Sequence, residues 1–83
     1  MSEVDEADAL QSARDALARH AWQESFDGFV AADAVRALSP EDLEALSEAA
    51  FWSGHLAQSL DGRQRAYAGY EEAGRPSEAA SAA

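Results

Sequence analysis

The chain has 83 residues, a formal net charge of −10 and no cysteine. That length allows one small domain, and the missing cysteines exclude disulfides and a cysteine-based zinc site as sources of stability. The acidic balance argues against a phosphate backbone or an anionic membrane surface as the main partner.

The residue types are those of helices. Alanine occurs 21 times, lysine is absent, and Val4, Val30 and Val35 are the only β-branched residues. Good helix formers therefore dominate and strand formers are scarce. The opening "MSEVDEADAL" is too acidic for a secretory or transit leader. No apolar run approaches the ~20 residues of a membrane span, so a cytoplasmic protein is expected.

In chain order, Glu3, Asp5 and Glu6 suit a helix start, and a first helix is expected over residues 3–18 with Val4, Leu10, Ala13 and Leu17 on one face. Trp22, Phe26, Phe29, Val30 and Ala34 then recur at helical spacing and predict a second helix over 21–34. The third has the clearest start. Ser39 is an N-cap, Pro40 takes the first helical position, and Glu41 and Asp42 fill the first turn. It is expected over 40–53, with Leu43, Leu46, Ala50 and Phe51 along it and Gly54 at its end. The fourth, over 55–73, carries a stripe of Leu56, Leu60, Arg63, Tyr67 and Tyr70, and Gly74 and Pro76 close it. The expected fold is all-α, two antiparallel helix hairpins in one domain over residues 1–75. Residues 76–83 form either an Ala-rich tail or the start of a fifth helix.

Two pentapeptides, "SFDGF" at 25–29 and "SLDGR" at 59–63, lie 34 residues apart. Asp-Gly is a turn signal, but the stripe of the fourth helix passes through Asp61-Gly62 in phase, so both are read as helix interior. Gly28 and Gly62 then either permit a close helix contact or stand tolerated on the surface. The same offset pairs Trp22 with Leu56, Phe26 with Leu60, Leu17 with Phe51 and Ala32 with Ala66. Thirty-four residues is the period of a tetratricopeptide helix–turn–helix.

The second unit, "LEALSEAAFWSGHLAQSLDGRQRAYAGYEEAG", resembles that repeat, with Leu43, Leu46, Gly54, Ser59 and Ala66 at its preferred large, large, Gly, small and Ala positions. Residues 10–75 are similar to the N-terminal repeats of LuxR-type transcriptional regulators and related cyclase-linked regulators of bacteria. His20, Arg63 and Ala50 depart from the pattern, where the repeat prefers Gly, a large apolar residue and Tyr. The resemblance implies a protein-binding repeat module, with no direct nucleic-acid binding by this segment. It also implies that Glu44, Glu48, Phe51 and Trp52 of the third helix face a peptide groove; a solvated face with Phe51 in the core is the other reading.

No phosphate loop, Ser-His-Asp set or metal motif is present, and no catalytic, cofactor-binding or metal residue is assigned. His20 and His55 fall at helix corners. Tyr67 and Tyr70, with Leu60, form either core packing or a sticky open end, and Arg63 either meets an acid or reaches the edge. The candidate partner-binding residues are Glu44, Glu48, Trp52, Leu60, Arg63, Tyr67 and Tyr70. The expected function is protein–protein interaction or oligomerisation, with a protein, a peptide or a second copy as partner; a small-ligand sensory module is the alternative.

Overall fold

The computed structural model describes residues 3–74, with side chains from Asp8 onward. Four helices follow one another: α1 Glu3–Ala18, α2 Trp22–Val35, α3 Pro40–Trp52 and α4 Leu56–Glu72. No strand occurs among the described residues. The expectations for Val4's side chain and for residues 76–83 lie outside what is described.

Each boundary has a local cause. The Ser39 hydroxyl accepts the Asp42 N–H at 3.2 Å, and Pro40 opens α3 as the sequence predicts. α1 and α3 end in the same backbone motif. The Ala21 N–H donates to the Ala16 carbonyl at 2.8 Å, and the His55 N–H to the Ala50 carbonyl at 2.7 Å. The residues just before these donors, His20 and Gly54, take positive φ values of 60° and 88°. This is a Schellman ending, which needs one left-handed residue. Gly54 adopts it without strain. His20, in the same place in the first unit, adopts it with its ring stacked on Trp22 at a centroid distance of 4.8 Å.

Short corners fold α1 back on α2 and α3 back on α4, and α2 lies against α3. The result is two layers thick, 33 × 29 × 19 Å. Inside each hairpin the closest approach is made at small residues. The Ser25 hydroxyl donates to the Ala13 carbonyl at 2.9 Å. In the second hairpin the Ser47 and Ser59 hydroxyls donate to one another's carbonyls at 2.7 and 2.8 Å. Ala32 and Ala66 are buried about two turns further along the same seams.

The large apolar residues pack between the hairpins. Phe29 meets Ala13 and Leu46, and Phe26 meets Ala49 and Ala50. Leu43, Ala66 and Tyr70 close the core within the second hairpin. No buried side-chain nitrogen or oxygen among the described residues lacks a hydrogen-bond partner.

Two expectations are corrected here. The inner face of α4 is Ser59, Gly62, Ala66 and Tyr70; of the anticipated stripe, Leu56, Leu60, Arg63 and Tyr67 point outward. Phe51 is also exposed, because α3 turns Leu43, Leu46, Ser47 and Ala50 inward and Phe51 falls beyond that arc. On α4 the cause is the close approach to α3 at Ser59, Gly62 and Ala66, which leaves Leu56, Leu60 and Tyr67 on its other side.

The glycines sit in these seams. A Cβ on Gly28 would lie 2.9 Å from the Ala13 Cβ; one on Gly62 would lie 3.2 Å from the Leu43 carbonyl oxygen and the Leu46 side chain. Both are close-contact glycines. Gly28→Ala is expected to destabilise the fold by about 1–3 kcal/mol, although alanine gains ~1 kcal/mol in helix propensity. Gly62→Ala, less crowded, should cost less. Urea denaturation of both variants measures the order, and a more stable Gly28→Ala protein would refute the tight seam.

Candidate interaction surface

The 34-residue offset makes α2 a reference for α4. On α2, Trp22, Phe26 and Phe29 face α3, which covers them with Trp52, the Ala49–Ala50 pair and Leu46 respectively. Leu17 of α1 joins the same cluster as Phe26. The counterparts one unit on are Leu56, Leu60, Arg63 and Phe51. Phe26 and Phe29 are 8% and 0% exposed, whereas Leu56, Leu60 and Phe51 are 59%, 55% and 52% exposed. The face that α3 covers in the first unit is therefore open in the second.

Along α4 this open face forms a shallow groove lined by Leu60, Arg63, Gln64 and Tyr67. Tyr67 is exposed, and hydrogen bonding to the Glu71 carboxylate one turn on holds its phenol above the usual range. Arg63 forms no ion pair among the described residues.

At the corner end the face runs into a row of rings. Trp52 is 58% exposed, yet it stacks on Trp22 at 5.8 Å and meets Phe51 edge-on at 5.1 Å. It thus ties the two hairpins together while presenting its outer side. His55 stacks on Phe26 at 4.1 Å and reaches the Gln23 amide oxygen at 3.2 Å. Both histidines are corner residues, and no group of three or more His, Asp or Glu among the described residues is placed to hold a metal. No described helix is long and apolar enough to cross a membrane.

The other candidates divide. Leu60, Arg63 and Tyr67 come together on α4. Glu44, Glu48 and Trp52 stand one turn apart along the exposed side of α3. Tyr70 does not belong to the surface: it is 2% exposed, and its hydroxyl donates to the Glu44 carboxylate, which engages that acid within the chain.

Asp42, read from the sequence as an acid of the first turn of α3, is buried. Arg14 Nε and Nη2 donate to its two carboxylate oxygens at 3.0 and 2.7 Å, joining α1 to α3. A second such pair joins α4 to α2, with Arg65 Nη1 and Nη2 donating to Asp33 at 2.8 Å each. These partners lie 28 and 32 residues apart, and no local pattern announced either pair.

No family model, curated protein or solved structure matches the chain.

Hydrogen bonds from Arg65 hold the Asp33 carboxyl below its usual range, against a smaller opposing effect of burial. A depressed acid stabilises the fold fully above its unfolded pKa, near ~4, and the contribution is lost as pH falls through the folded value. Asp33→Asn should therefore cost about 1 kcal/mol at neutral pH, since the arginine end of the pair is partly exposed. The gap between variant and wild type should begin to narrow below about pH 4 and go on narrowing as pH falls through the lower folded value. Urea denaturation at pH 7 and pH 3 measures it; a gap that does not narrow between them would assign the loss to packing.

Proposed function

We propose that the chain is a protein–protein interaction or oligomerisation module of tetratricopeptide type, acting through the outer face of α4. One observation carries this reading. The positions that α3 covers on α2 recur on α4 as Leu56 and Leu60, more than half exposed. Five of the seven exposed large apolar residues among the described ones, Phe51, Trp52, Leu56, Leu60 and Tyr67, belong to this second unit. Contiguous exposed apolar surface rimmed by polar residues marks interaction sites, and exposed tryptophan is enriched at their hot spots.

The repeat reading is supported by the recurrence of whole local structures at the same offset. α2 and α4 start 34 residues apart, and so do the corner bonds and the serine-to-carbonyl bonds of the two units. The similarity of residues 10–75 to the N-terminal repeats of LuxR-type and cyclase-linked regulators supports placing the module in a bacterial transcriptional regulator, in the cytoplasm.

The reading is tested by a charge placed in the middle of the face. Leu60→Glu should leave helicity and melting almost unchanged, within about 0.5 kcal/mol, because the position is exposed. It should abolish self-association seen in sedimentation and any protein retained by the immobilised wild-type chain. A variant that associates and retains as well as wild type would refute the α4 face as the working surface.

A further inference from the structure

We propose that the α4 face takes one amphipathic α-helix of a partner protein, recognised by a carboxylate that meets Arg63, small residues over Leu60 and an aromatic residue over Leu56. The inference rests on the interaction reading above and names the partner's chemistry.

The pattern comes from the joint that the chain already contains. α3 lies on α2 with Leu46 against Phe29, Ala49 and Ala50 against Phe26, and Trp52 stacked on Trp22. Read along α3, that is one residue, then small residues three and four places on, then an aromatic six places on. On α4, Leu60 stands at Phe26's place and Leu56 at Trp22's, so the small pair and the aromatic are needed again. Arg63 stands at Phe29's place. A leucine laid on it would strip water from a guanidinium without pairing it; a carboxylate there supplies the pair. Arg63 is open to this, since the neighbouring charges of α4, Arg65 and Asp61, lie within 3.8 Å of one another and Arg65 also holds Asp33.

A second copy stacked head-to-tail does not fit. The α1 residues one unit before Ala45, Leu46 and Ala49 are Gln11, Ser12 and Asp15, all exposed, with Gln11 donating to Asp15 at 3.0 Å. That is the polar outer face of a terminal unit, and it would set polar groups on Leu60. Residues 75–83 hold no large apolar side chain to meet Leu56.

The test uses the full chain and two synthetic helices. The first is an end-capped peptide of residues 39–53 with Leu46→Glu, the second the same peptide with Leu46→Lys. The chain carries a net charge of −10, so bulk electrostatics favours the lysine peptide and only a local pair favours the glutamate one. Titration followed by the backbone amide resonances of α4 should show the glutamate peptide binding on the order of tenfold more tightly. Arg63→Glu should reverse the preference. If both peptides shift the α4 resonances equally, the carboxylate assignment is overturned while the interaction face stands. If neither does, and sedimentation shows self-association that Leu60→Glu removes, the occupant is a second copy and the partner helix is overturned. If neither does and the chain stays monomeric, the partner helix is equally overturned, and the capture comparison above decides the interaction reading.

Discussion

The close approach of paired helices governs this molecule. Within each hairpin the backbones come near enough that a methyl group at Gly28 would overlap Ala13. Serine hydroxyls then reach the carbonyls of the facing helix, which turns a polar side chain into a fastener inside a buried seam. Such bonds each contribute only about 1 kcal/mol net, but leaving a buried hydroxyl unpaired would cost more. The seam is therefore specific as well as tight.

Most of what is larger is displaced by that constraint. A helix whose closest approach is made at Ser, Gly and Ala places most of its large apolar residues elsewhere; on α4 the inner face admits Tyr70 alone of these. In α2 they go to the boundary with α3 and become the core: Phe26 and Phe29. In α4 the same positions have no neighbour among the described helices, and they become surface. Core and candidate site are thus one feature of the repeat, seen once covered and once open.

The helices themselves were legible in the sequence because their signals are local. Ser39-Pro40, the acids after it and Gly54 place α3 within a residue of its observed ends. The offset between "SFDGF" and "SLDGR" was legible too, and it correctly moved both Asp-Gly pairs from turns into helices. Which face of α4 turns inward was not. A stripe search weights large apolar residues, and here three of the four buried positions are Ser59, Gly62 and Ala66, with Tyr70 the fourth. The recurrence of Ser, Gly and Ala at 25, 28 and 32 and again at 59, 62 and 66 held that information. The Arg–Asp pairs between hairpins could not be read, since pairing across some thirty residues depends on the fold having formed.

Those two pairs separate the joint inside the molecule from any joint formed upon it. Arg14 and Arg65 each grip an aspartate of the opposite hairpin with two hydrogen bonds. One unit further on, Arg14's place is held by Glu48 and Asp33's by Tyr67. The clamps are not duplicated with the repeat. A helix arriving on α4 meets an apolar strip and a single arginine, without the two-pronged grips that lock the first joint. The inner joint carries both grips; a helix docked on α4, as proposed above, would be held without them.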